Sequence, residues 1–177
     1  VNEKRETRPG RILASLNREI RRSLHQDTGE TRDGMDIAIC SIDLPAREFH
    51  YAGANRPLWI LKNNSNREDG STAVELIEVK PTKNAIGGHT GPETIFEQHI
   101  VKVETGDTIY MFTDGYADQF GANDKKLMTK KFKEILVSVH GRSMADQQEF
   151  LGNFIEEWKG DTEQTDDILV IGVRIPG

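Results

Sequence analysis

At 177 residues, 36% of them apolar, the chain has the size of one domain and enough apolar material for a core. Its 23 Lys and Arg against 29 Asp and Glu leave a formal net charge of -6, and no apolar run approaches the roughly 20 residues that cross a bilayer. Neither nucleic-acid binding nor membrane contact is expected. A lone Cys40, inside the apolar run 37–42, excludes an internal disulfide and any multi-cysteine zinc site, and it reads as a core residue.

Charge is unevenly spread: residues 1–32 hold eight Lys/Arg against five Asp/Glu, the remainder fifteen against twenty-four. The basic start reads as a solvated helix face. It carries no apolar stretch of a secretory signal, so a cytoplasmic location is expected. Pro9 suits a first helical turn, and Ile12, Leu13, Leu16, Ile20 and Leu24 recur at helical spacing as far as the turn signal Asp27-Thr28-Gly29, which predicts a helix over 9–25. Six β-prone runs follow, at 35–42, 48–52, 57–62, 74–79, 94–103 and 107–112. Leu44-Pro45-Ala46-Arg47 reads as a hairpin turn, Gly53 to Pro57 as a tight corner and Glu104-Thr105-Gly106-Asp107 as a second hairpin. The polar stretch 63–72 is expected to be a mobile surface loop.

Helical spacing returns with Leu127, Met128, Phe132, Ile135, Leu136 and Val139. A second helix follows, opened by a capping box at Ser143 and Asp146 and striped by Met144, Leu151, Phe154, Ile155 and Trp158. The last run, 168–175, is a strand. Helix, several strands, two helices and a strand describe an α+β domain with a mainly antiparallel sheet, one unit over residues 1–177.

Two acids stand at strand ends. Asp114 follows the apolar run 109–112 and precedes Gly115; Asp166, with Asp167 beside it, precedes the final strand. Hard carboxylate oxygens held on strand ends suit magnesium or manganese, provided the fold brings the two ends together. Asp114 and Asp166 would then share an ion, with Asp167 a second acid. The competing reading of such residues is a turn former or helix cap.

Other candidates carry less. His89 lies in the glycine-rich stretch Gly87 to Pro92, read as a flexible loop; His25, His50, His99 and His140 are scattered, and no serine has a Gly-x-Ser-x-Gly setting. Asp33 and Asp36 read as structural, Asn55 as a corner residue, and Arg56 as a residue able to meet a phosphate through its guanidinium fork.

Tyr110-Met111-Phe112-Thr113-Asp114-Gly115-Tyr116-Ala117-Asp118, Gln164-Thr165-Asp166-Asp167-Ile168, Asp33-Gly34-Met35-Asp36-Ile37-Ala38 and Ala52-Gly53-Ala54-Asn55-Arg56-Pro57 stand in the chain. Together they resemble the SpoIIE/RsbU branch of the PPM (protein phosphatase 2C-like) serine/threonine phosphatases. The resemblance implies an α-β-β-α sandwich of mainly antiparallel sheets. It also implies two Mn2+ or Mg2+ ions, water attacking a phosphoserine or phosphothreonine directly, and metal-binding roles for Asp114, Asp166 and, less strictly, Asp167. Leu169 stands where the family often has threonine. The family's opening strands and its Asp-x-x-Gly-His-Gly loop, whose aspartate bridges both ions, have no counterpart before the first helix. The 177 residues are therefore expected to be the C-terminal part of a larger, N-terminally truncated domain with little or no activity of their own, the parent being a bacterial signalling enzyme. By analogy its substrate is a phosphorylated protein such as an anti-sigma-factor antagonist. A homodimer that exchanges segments over an exposed sheet edge stays open, as does a non-catalytic module that binds a regulator.

Overall fold

The computed structural model describes residues 6–29, 32–63 and 74–177. In chain order the elements are α1 (Pro9–Ser23), β1 (Gly34–Met35), β2 (Ile37–Asp43), β3 (Glu48–Ala54), β4 (Leu58–Lys62), β5 (Glu75–Val79), β6 (Ile86–Gly87), β7 (His99–Lys102), β8 (Thr108–Phe112), α2 (Gly115–Asp118), α3 (Thr129–Val139), α4 (Met144–Lys159) and β9 (Val170–Arg174). The mixed class is as expected, and every strand pair whose register is described is antiparallel. Contacts divide the chain into two compact units, Val1–Leu58 with Glu78–Val103 and Trp59–Ile77 with Glu104–Gly177.

In the first unit β2, β3 and β7 form a sheet in that order, and β1 pairs with β6. Alternation along β2 and β3 places Ile37, Ile39, Ala52 and Ala54 on one face, where they pack with Leu13 of α1, Ile86 and Phe96. The expected strand 35–42 breaks at Asp36, whose carboxylate accepts from Asn55 Nδ2 at 2.8 Å and Arg56 Nη2 at 3.0 Å. Asn55 is held in the left-handed region, φ 57°, a conformation asparagine tolerates. Cys40 is half-buried, and burial pushes its thiol up to about 12.

The inward side of α1 differs from its apolar stripe. Leu24 is 42% exposed, whereas Asn17 and Arg21 are buried. Asn17 donates to Gly91 O at 2.8 Å and accepts from Gly87 N at 2.8 Å, while Arg21 donates to Thr90 O at 2.7 Å and to Asp27. The glycine-rich stretch expected to be a flexible loop is thus fastened to the helix. Arg21 correspondingly leaves the solvated basic face, because the carbonyls of Gly88 and Thr90 and the exposed carboxylate of Asp27 compensate its desolvation.

In the second unit the sheet order is β5-β4-β8-β9. Glu104 to Asp107 is not a hairpin: β7 pairs with β3, and β8 lies between β4 and β9. Turn-forming residues fix a local reversal but not the partner of the next strand. Asp107 closes this turn, accepting from Glu104 N and Asn63 N, each at 2.9 Å, and from Lys62. Trp59, Tyr110 and Phe112 meet Tyr116 of α2, Phe132 and Leu136 of α3 and Leu151 and Ile155 of α4 in one core. Trp59 and Phe112 stand 4.1 Å apart between ring centroids and Tyr116 and Phe132 4.4 Å; each such side chain contributes about 1.5–3 kcal/mol on burial. The helix expectations hold for α3 and α4, and Ser143 Oγ accepts from Asp146 N at 3.1 Å as the capping box requires. Leu127 and Met128 both precede α3; Leu127 is buried all the same, whereas Met128, at φ 73°, is 59% exposed. The stretch 63–72 lies outside the described residues except for Asn63.

Candidate metal centre

The ladder that positions the acids is β8 against β9. Its register ends at Phe112 opposite Val170, so the residues after Phe112 and before Val170 emerge side by side. Thr113 continues the pairing: its N–H donates to Leu169 O at 3.0 Å, its Oγ1 accepts from Leu169 N at 2.9 Å, and the same hydroxyl donates to Asp167 O at 2.7 Å. Asp114 then caps α2, its carbonyl accepting from Asp118 N at 2.9 Å.

Gly115 begins α2 and does not have a positive φ, so turning freedom is not why glycine stands there. A Cβ on it would lie 2.5 Å from Asp167 O and 2.9 Å from Asp167 C. Close approach of two backbones is the reason.

These contacts thus set Thr113 and Gly115, on either side of Asp114, against the backbone of Asp167, with Asp114 half-buried and Asp166 and Asp167 exposed. Asp166 Oδ1 accepts from Asp167 N at 2.7 Å, and Gln164 Nε2 donates to Asp166 O at 2.8 Å, which sets a turn immediately before β9. The next acid along α2, Asp118, is occupied by Lys126 at 2.9 Å. Among the described residues no group of three or more His, Cys, Asp or Glu is gathered so as to hold a metal. A fully protein-built cage is therefore not formed. Magnesium or manganese asks for less, one or two carboxylates with water completing the shell, and Asp114, Asp166 and Asp167 carry donors of that chemistry at the adjoining ends of β8 and β9.

Asp36 and Arg56 lie in the first unit and are paired with each other, and the structural reading of Asp36 describes its bonds to the Asn55 corner. Sequence reasoning missed Thr113 and the reason for Gly115. The only available signal was their place beside Asp114, since a hydroxyl that bonds across a ladder leaves no periodic trace. Among the described residues no helix is long and apolar enough to cross a membrane.

Solved structures share this fold. The SiaA-PP2C domain of Pseudomonas aeruginosa matches with a TM-score of 0.81 at 24% identity, over 97% of this chain and 63% of that one. The RsbU and RsbW domains of Rv1364c from Mycobacterium tuberculosis match at 0.59 and 19%, over 88% and 40%. The PP2C phosphatase domain of SpoIIE from Bacillus subtilis, with a fragment of its regulatory domain, matches at 0.54 and 20%, over 79% and 37%. The chain spans less than two thirds of each. No curated protein matches it. The fold is that of PP2C-type phosphatase domains, and residues 2–176 match the model of stage II sporulation protein E, so the chain belongs to the SpoIIE family.

Proposed function

We propose that the protein acts as a metal-dependent serine/threonine phosphatase on a phosphorylated signalling protein, an anti-sigma-factor antagonist being the substrate class implied by resemblance. The observation that supports this is the stitching of Thr113 to Asp167 and Leu169, which sets Asp114 and the Asp166-Asp167 pair on adjoining strand ends. Asp114 and Asp166 would hold a Mn2+ or Mg2+ ion, with Asp167 as the further acid. Bound there, such an ion supplies a water of lowered pKa and neutralises charge on the phosphoryl oxygens.

The chain's own residues set the conditions. Carboxylates carried on adjoining strand ends repel a phosphate dianion, so without a cation the acids oppose substrate binding. Partial burial of Asp114 lowers the screening around it, which favours a cation held against it. The hydrogen bond from Asp167 N fixes one oxygen of Asp166, so this carboxylate is oriented before an ion arrives. The 177 residues contain no Asp-x-x-Gly-His-Gly loop. With the remaining carboxylates holding a hydrated ion almost alone, their own affinity and activity are low.

The test uses the protein that carries these residues, a phosphoserine protein substrate and Mn2+. Phosphate release should require the metal and fall at least about 100-fold in Asp114→Asn and in Asp166→Asn, in line with loss of charge stabilisation in phosphoryl transfer. Turnover without metal, or full activity in Asp114→Asn, would reject the reading. The second reading, a non-catalytic module that binds a regulator, is favoured by the absence among the described residues of three or more ligating side chains gathered around one point, and it predicts no metal-dependent release in any form of the protein.

A further inference from the structure

Asp166 and Asp167 sit in a segment that is tied down at two points. At its C-terminal end Thr113 bonds Asp167 O and Leu169 N. At its N-terminal end the tie is Gln119, the residue immediately after α2. Gln119 is fully buried, and its Nε2 donates to Glu163 O and to Phe120 O, each at 3.0 Å. Its own carbonyl accepts from Trp158 Nε1 and from Leu127 N, each at 3.0 Å, and Thr162 Oγ1 donates to Phe120 O at 2.8 Å. One amide therefore joins the backbone five residues after Asp114 to the backbone three residues before Asp166.

The side chain is a poor choice for packing alone. Gln119 Oε1 is buried and has no hydrogen-bond partner among the described residues, and an unsatisfied buried acceptor is destabilising. A leucine would fill similar space without that penalty, but it could not grip two carbonyls. The amide is thus better suited to setting where the 163–167 segment runs than to stabilising the core.

We infer that Gln119 is a positioning residue for the acidic site, acting through Glu163 to hold Asp166 and Asp167 in register with Asp114. The inference rests on the reading of these acids as metal ligands. Groups of this kind, which orient ligands without touching the ion, commonly change metal affinity 10- to 100-fold when removed.

The experiment is nuclear magnetic resonance on the 15N-labelled 177-residue chain, titrated with Mn2+ alone. Amide broadening at Asp114, Asp166 and Asp167 reports the ion, and metal-free heteronuclear NOEs report the order of residues 164–167. Gln119→Leu should weaken Mn2+ binding at least tenfold and lower those NOEs. Leu136→Ala, a core change in α3, serves as the destabilised control and should alter neither. If Gln119→Leu does not fold, Thr162→Val, which loses the neighbouring tie to Phe120 O, should show the same change to a smaller degree. If Asp114→Asn and Asp166→Asn weaken broadening while Gln119→Leu acts no differently from Leu136→Ala, the inference is overturned and the metal reading stands. If Mn2+ broadens none of the three acids in the unaltered chain, the metal reading fails; NOEs at 164–167 left unchanged by Gln119→Leu would then overturn the positioning role as well.

Discussion

Gly115→Ala separates two physical effects of opposite sign. Gly115 is the first residue of α2, and by propensity alone alanine in place of glycine in a helix should stabilise by up to about 1 kcal/mol, chiefly because the unfolded chain is stiffer. Against this, the new Cβ would stand 2.5 Å from Asp167 O, where ordinary contact begins at 3.4 Å, and its neighbours Asp167 C and Ile168 Cγ1 lie at 2.9 and 3.2 Å. The nearest atoms are backbone and cannot rotate away. The segment before β9 must retreat by roughly 1 Å, a displacement of the kind that costs about 1–3 kcal/mol in packed sites. It would also stretch the 2.7 Å bond from Thr113 Oγ1 to Asp167 O, worth about 1 kcal/mol. The net expectation is a loss of about 2 kcal/mol, or roughly 4–8 °C in Tm for a chain of this size. Urea denaturation with an unchanged slope would measure it, and the Asp167 amide shift would report the displacement. A variant as stable as the parent, or more so, would refute the close-approach argument.

Asp107 is fully buried and accepts from Lys62 and from the N–H groups of Asn63 and Glu104, so Asp107→Ala leaves a cation and two amides unpaired and should cost about 3–5 kcal/mol in urea unfolding; a loss below 1 kcal/mol would contradict the assignment. His140 is 8% exposed, and burial followed by the Arg174 guanidinium, which donates to its carbonyl at 2.5 Å, holds its imidazole below the ordinary 6.5. The unfolded chain then binds the proton more readily, so this contribution to stability is complete above pH 6.5 and is lost as pH falls through the lower folded value. His140→Gln should flatten the stability profile in that window, and an unaltered slope would sink the assignment.

Particular residues show what was legible. Pro9 and the Ser143–Asp146 cap mark helix starts because capping is a local matter between neighbours in sequence. Asn17 and Arg21 escaped the apolar stripe because their burial depends on carbonyls about seventy residues away. The two-residue strands β1 and β6 are too short for any periodic signal. Met128 kept helical spacing yet stands outside α3, since spacing does not say where the helix begins.

The acids at 114, 166 and 167, the α+β order of elements and the family resemblance were all in the amino-acid sequence, because residue type and local spacing determine them. Only the tertiary structure decided that β8 and β9 are neighbours, that Glu104 to Asp107 turns the chain without making a hairpin, and that Thr113, Gly115 and Gln119 set the course of the acidic segment. Strand pairing and backbone close approach join residues about fifty positions apart, and no periodicity along the chain encodes which distant partner a hydroxyl, an amide or a missing Cβ will meet.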